Sequence, residues 1–242
     1  MQLFEMISKR RHVLLSLSSN LSVKGFRNKF NKVKTAKGRK LSSTLWIQRQ
    51  INDPYNKLAK KENYRSRAAF KLLEIDDKIK IIRNAKTILD LGCAPGGWLQ
   101  ILRQRNKKAN IVGVDLLEID DLPDCEFIQG NFMDVEIQDL IIDKVCSQKV
   151  DLIVSDIAPN KSGHKNTDML RMYAVAEEIL NFSINHLNKG GFVIMKLFMG
   201  RDFEDLLKQF KENFTKVRQS TKGKVSKVIY PEYLNTASKV VP

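Results

Sequence analysis

The chain has little cysteine and no arrangement of it that binds metal or forms a framework. Cys93, Cys125 and Cys146 are odd in number, widely spaced and without a C-x-x-C pair, which argues against both a disulfide scaffold and a zinc knuckle. The three histidines, His12, His164 and His186, lack ligand spacing with one another or with the cysteines, so no metal is expected. Long apolar runs are missing too. Nothing approaches the roughly 20 residues needed to cross a bilayer, and Val13-Leu14-Leu15 is broken by serine, so no membrane partner is expected. Acids are scarce at the start of the chain, where Glu5 alone faces eleven Lys and Arg in the first 40 residues. There is no internal repeat and no low-complexity tract.

What is present bounds the rest. With 242 residues and 43% hydrophobic content, one sizeable core is expected. A net charge of +15 and a pI near 9.7 point to a polyanionic partner, because Lys and Arg gain affinity for phosphates by releasing counterions. Nucleic acid is favoured. Residues 1–41 read as a basic, serine-containing arm: a flexible RNA-binding tail, an organellar transit peptide, a stretch upstream of the true start, or a solvated tail without a role. Residues 42–242 read as a single domain whose first part, from Ser42 to Ile79, has helical spacing with a break at Asp53-Pro54. The unpaired cysteines suit a reducing compartment, so cytoplasm is expected, with the mitochondrial matrix or another organelle as the alternative.

Beyond Ile79 strands and helices alternate. Strands are predicted at 87–91, 110–114, 126–129, 150–155, 192–197, 216–219 and 232–240, with helices at 98–105, 134–144, 167–187 and 202–213. Such alternation predicts a mostly parallel α/β sheet with ligands at the carboxyl ends of its strands. The most informative run is Ile88-Leu89-Asp90-Leu91-Gly92-Cys93-Ala94-Pro95-Gly96-Gly97-Trp98, an apolar strand ending in an acid and then a glycine-rich turn. Gly92, Gly96 and Gly97 do not match G-x-G-x-x-G, and Pro95 removes an N–H that a pyrophosphate cradle would use. A cofactor without phosphates is expected there, with Asp90 orienting the turn.

Other polar residues close apolar strands. Asp115 follows Ile111-Val112-Gly113-Val114, where an acid binds the two hydroxyls of a ribose; an ordinary strand-end turn acid is the plain alternative. Asp156, in Ser155-Asp156-Ile157-Ala158-Pro159-Asn160, ends Leu152-Ile153-Val154. Lys196 is the anomaly of the chain, flanked by Phe192-Val193-Ile194-Met195 and Leu197-Phe198. A lysine so placed is either paired with an acid as a structural bridge or catalytic with a shifted pKa. In Arg65-Ser66-Arg67-Ala68-Ala69-Phe70-Lys71-Leu72, Arg67 and Lys71 share a helix face.

Taken in order, these motifs from about Ser42 to Glu232 resemble the FtsJ (RrmJ, RlmE) family of ribosomal RNA ribose 2'-O-methyltransferases. The resemblance implies a Rossmann-like fold with a seven-stranded, mostly parallel sheet and helices on both faces. It implies S-adenosyl-L-methionine as cofactor and a uridine of large-subunit (23S-type) ribosomal RNA, or the large ribosomal subunit, as partner of a monomer. By it, Lys71, Asp156, Lys196 and Glu232 form a K-D-K-E tetrad, while Asp90, Gly92, Gly96, Gly97, Trp98, Asp115, Asn131 and Asp156 line the cofactor site. Asn131 stands where the family usually has aspartate, so its amide oxygen would meet the adenine amino group. Ser226-Lys227 replaces a usual Ser-Arg, and Tyr233 falls one place early of the family's aromatic. Transfer RNA or another RNA as acceptor, or a non-catalytic RNA-binding relative, are the competing readings.

Catalysis by such a set needs a base for the 2'-hydroxyl. Lys196 would serve if desolvation, like charge on Lys71 and the cofactor's sulfonium drew its pKa down toward neutrality against the pull of Asp156. RNA affinity would rest on the arm and on Lys37, Arg39, Lys40, Arg49, Arg65 and Arg67. Removing residues 1–40 is expected to weaken RNA binding and flatten its salt dependence, read from filter-binding isotherms across a salt series.

Overall fold

A computed structural model describes residues 32–33, 38, 41–145, 149–158, 162–200, 202–220 and 226–233. Most of the basic arm, Cys146, Pro159, Asn160 and the stretch 234–242 lie outside the described residues. The chain divides into two compact units, 1–53 and 54–242. The boundary therefore falls at the Asp53-Pro54 break, and the first predicted helix goes with the arm rather than with the domain. That helix, α1 (Leu41–Asn52), carries a local bond from the Val33 amide to Gln48 Oε1 at 3.0 Å.

The second unit is a seven-stranded sheet. Its strands are β1 (Thr87–Leu91), β2 (Asn110–Asp115), β3 (Glu126–Gln129), β4 (Val150–Ser155), β5 (Leu187–Phe198), β6 (Phe214–Ser220) and β7 (Ser226–Tyr233), in the order β3-β2-β1-β4-β5-β7-β6. The first five in that order are mutually parallel, and β7 runs antiparallel between β5 and β6. β1 lies between β2 and β4 with all five residues buried, as a near-continuous apolar run in a parallel sheet should. The strand order reverses between β1 and β4, and in open α/β sheets the crevice at such a switch point is where ligands bind.

Helices cover both faces, and side-chain alternation along each strand sorts the two cores. Ile88, Ile111, Leu152, Val154 and Ile194 face a layer formed by α2 (Pro54–Lys61), α3 (Ala69–Ile79) and α4 (Gly97–Arg105). Leu89, Leu91, Val112, Ile153, Val193 and Met195 face the other layer, formed by α5 (Val135–Lys144), α6 (Lys165–His186) and α7 (Phe203–Asn213). Period two then places Asp90, Gly113, Asp115, Asp156 and Lys196 all on the α3–α4 side.

Two predicted strands differ from the structure. β5 begins at Leu187, directly after α6, not at Phe192. Its pairing with β4 jumps from Val150↔Leu187 to Leu152↔Phe192, and the extra residues are absorbed around Gly190 at φ +73°, a conformation open to glycine. The seventh strand is 226–233, not 232–240: the β-branched and aromatic run Val228-Ile229-Tyr230 pairs with β5 and β6, while 234–240 lies outside the described residues.

At the amino ends of β1 and β2 the two entering loops are tied by one buried side chain. Asn106 Nδ2 donates to the carbonyls of Ile82, Arg83 and Ala85, and its Oδ1 accepts from the Lys108 and Ala109 amides. Replacing it with alanine would strand several buried backbone groups, each costing about 1–3 kcal/mol. Asn106→Ala is expected to lower stability by at least about 2 kcal/mol, measured as a reduced urea midpoint with an unchanged slope.

Candidate active site

The glycine turn connects β1 to α4 and is closed by its own hydrogen bonds. The amides of Gly92 and Cys93 both donate to the Val114 carbonyl, Gly96 N donates to Cys93 O, and Ala94 N donates to Asp115 Oδ2 at 2.9 Å. Pro95 has no N–H. From Gly92 to Gly96, every main-chain donor is spent or absent, so this turn offers nothing to a pyrophosphate; the free amides of the first turn of α4 begin only at Gly97 and Trp98.

The glycines serve protein packing as well. A Cβ on Gly92 would collide with Ile157, one on Gly96 with the Arg65 side chain, and one on Gly97 with Ser66. Gly92 and Gly96 also hold φ of +77° and +100°. The segment 65–66, far away in sequence, thus forms one wall of the turn. It is fixed there by Gln100 Oε1, which accepts from Arg65 N at 2.7 Å, and by the Trp98 indole N–H, which donates to Ala68 O at 2.9 Å. With its ring buried and its N–H committed, Trp98 faces a ligand only through its main chain.

Three expectations need correction. Asp90 does not orient the turn: it is fully buried, and neither carboxylate oxygen has a partner among the described residues. Burial, with a smaller push from Asp115, raises its pKa well above the usual carboxylate range. Asp115 does the orienting, holding Ala94 N with one oxygen and Leu117 N with the other at 2.9 Å. Arg65 is not a free phosphate contact, since its guanidinium donates to the Asp120 and Asp121 carbonyls, both at 2.8 Å. The register does not bring the Glu232 backbone beside Lys196. Glu232 pairs with Phe192, whereas Lys196 pairs with Val228; four residues of strand set Glu232 about 13 Å away, toward the amino end of β5.

Lys196 and Asp156 do meet. The ammonium donates to Asp156 Oδ1, and both side chains are half-buried. Burial lowers the Lys196 pKa to about 8, and the Arg67 charge adds in the same direction; the carboxylate contact works against both. Arg67, which the sequence reading did not name for this, supplies like charge. Lys71 sits half-buried in the first turn of α3, one helical turn beyond Arg67. Arg67 is the residue whose role sequence reasoning missed, because its spacing from Lys71 read equally as a solvated face.

Asn131 lies between β3 and α5. Its Nδ2 donates to Asp134 Oδ1 at 3.0 Å and its Oδ1 accepts from Met133 N at 3.2 Å, which leaves one lone pair of the oxygen for a further donor. The donor set therefore fits an adenosine without phosphates: Asp115 for two hydroxyls, Asn131 for an amino group, and a turn with no anion cradle. The loop of Asp156 continues into Pro159 and Asn160, outside the described residues, and resumes where Ser162 N and Oγ donate to Asp168 Oδ1.

The buried acid gives a measurable signature. A carboxyl whose pKa is raised on folding stabilises the protein fully below its unfolded value, near 3.9, and loses that contribution as pH rises through the folded value. Wild type should lose stability over that window, whereas Asp90→Asn, neutral at every pH, should show no such loss and be at least as stable at neutral pH. Urea midpoints across a pH series check this.

The family model described as FtsJ-like methyltransferase matches residues 64–231. The chain is 45% identical over 189 residues to ribosomal RNA large subunit methyltransferase E of Maricaulis maris, covering 78% of this chain and 67% of that one. It is 42% identical over 228 residues to the protein of the same name from Rickettsia bellii, covering 90% of this chain and 99% of that one. Among solved structures, a Plasmodium falciparum protein described as a ribosomal RNA methyltransferase superposes with a TM-score of 0.66 at 31% identity, over 71% of this chain and 98% of that one. This chain belongs to the FtsJ-like methyltransferase family.

Proposed function

We propose that this enzyme transfers a methyl group from S-adenosylmethionine to the ribose 2'-hydroxyl of a uridine in large-subunit, 23S-type ribosomal RNA, in support of ribosome assembly. The observation that carries the reading is the desolvated Lys196 held against Asp156 beside a glycine turn without free amides. The names of the relatives support ribosomal RNA as the acceptor. The enzyme acts as a monomer in the cytoplasm, its basic first unit adding RNA affinity. No helix among the described residues is long and apolar enough to cross a membrane.

The cofactor supplies an electrophilic methyl on a sulfonium. Asp115 would hold its ribose hydroxyls, Asn131 Oδ1 would accept from its adenine amino group, and Gly97 and Trp98 would offer it main-chain amides. Gly92 and Gly96 shape the turn, and Asp90 supports it from behind. Methyl transfer would break the S–CH3 bond as the O–CH3 bond forms, leaving a neutral thioether, and Lys196 Nζ would receive the proton that the 2'-hydroxyl gives up. With a pKa near 8, a sizeable neutral fraction exists at physiological pH, which a lysine in water lacks. Asp156 fixes the direction of the Nζ lone pair and stabilises the ammonium once it forms. Lys71 neutralises the neighbouring phosphate and holds the ribose for in-line attack, work that positioning can reward with several kcal/mol. Glu232 has no part in this scheme.

Arginine at position 196 keeps the charge and cannot deprotonate. Lys196→Arg is expected to lower kcat by at least about 100-fold while cofactor affinity, measured by calorimetry, stays within about twofold. For wild type, the single-turnover rate should rise about tenfold per pH unit and level off above a pH near 8. Radiolabelled methyl transfer to ribosomal subunits but not to transfer RNA, with mass-spectrometric mapping of the product nucleotide, tests the acceptor.

A further inference from the structure

The sheet edge opposite the active site carries an ordered basic surface that the reaction does not use. Arg83 and Lys86 lie in the loop entering β1, and Lys107 and Lys108 in the loop entering β2; all four are exposed. Neither 78–86 nor 106–110 contains an acid. The two loops are locked side by side by the five hydrogen bonds of Asn106 and by Asn110 N, which donates to the Lys86 carbonyl at 2.8 Å. Of the acids around them, Asp124 is exposed beside Ala109, the carbonyls of both being bound by Arg103 Nη2, and three others are engaged. Asp77 pairs with Arg105 at 2.6 Å, Asp151 Oδ2 accepts the Lys86 and Thr87 amides, and Asp76 is buried, with burial raising its pKa. Lys78 and Lys80 extend the surface at the end of α3, where a helix C-terminus alone accounts for cations; Arg83 acts on buried Asp76, whereas Lys86, Lys107 and Lys108 form no ion pair among the described residues.

We infer that this surface is a second RNA contact, engaging the phosphate backbone of the folded substrate away from the nucleotide that is modified. This rests on RNA being the substrate, as proposed above. Five strand residues separate Lys86 from the glycine turn, about 16 Å of β1, so a single strand threading the active site does not reach this edge, whereas a folded RNA curving around the unit does. Cations clustered on two loops that are locked side by side recognise a phosphate array and carry no base specificity.

The test is the fourfold variant Arg83→Gln, Lys86→Gln, Lys107→Gln, Lys108→Gln in the full chain. Its charge-matched control is Lys208→Gln, Lys211→Gln, Lys216→Gln, Arg218→Gln, which changes exposed residues of α7 and β6. The probe is full-length large-subunit RNA, with affinity read over a salt series. The fourfold variant should lose about tenfold in affinity and lower the salt slope by about 2 to 3, whereas the control should change both much less. Its turnover at saturating RNA should match wild type. Equal losses in both variants would reduce the effect to net charge and overturn the inference, as would no loss in either. If wild type itself fails to bind large-subunit RNA, the functional reading falls and this one with it; binding by wild type without a selective loss removes this one alone.

Discussion

A side chain on Gly96 or Gly97 would occupy the space that Arg65 and Ser66 fill, and the assembly of the site from distant parts of the chain follows from that contact. It holds the segment leading into α3 against the turn leading into α4. Once this segment is fixed, also by Gln100 and Trp98, Arg67 comes close enough to act on a lysine more than a hundred residues later in sequence. Lys71 follows one helical turn on. The cost of the arrangement is local: two glycines at positive φ and a turn that tolerates no other residue.

The second ordering principle is the parity of the sheet. Asp90, Asp115, Asp156 and Lys196 lie on four different strands or their ends, yet alternation puts all of them on one face. Their fates differ with depth. Asp90, sealed within β1, has no partner among the described residues and a raised pKa; Asp115, at a strand end, is held by two amides; Lys196, between these extremes, is held against Asp156 and loses most of its hydration. The protein thus grades its titratable groups by depth. Twelve of the 42 Lys and Arg, against two of the 27 acids, lie in residues 1–53.

Much of this was legible in the sequence, for identifiable reasons. The apolar strands ending in Asp115, Asp156 and Lys196 announced both the sheet and its active edge, because a polar residue closing such a run has few other places to go. The glycine turn read correctly as hostile to phosphates, although Pro95 was only part of the cause; the hydrogen bonds that spend the remaining amides depend on β2, which no local reading reveals. Asp90 was misjudged because a carboxyl at a strand end looks the same whether it faces the cleft or the core. Glu232 was misplaced because strand register is a property of pairing, and the sequence near 232–240 did not show which residues pair. Arg67 and Asn106 were missed since arginine on a helix and asparagine in a turn have ordinary explanations.

The spent amides of the glycine turn bear on how the enzyme lives among other metabolites. Adenine nucleotides share their adenosine with the methyl donor and differ beyond the 5' carbon, where they carry several negative charges. A turn that still had free N–H groups would reward those charges, and the abundant triphosphate would compete for the site. Here the phosphates find no donors in the turn and must give up hydration without replacement, a loss of several kcal/mol for groups so strongly solvated. The turn itself thus gives adenine nucleotides no reward for the phosphates by which they differ from the methyl donor.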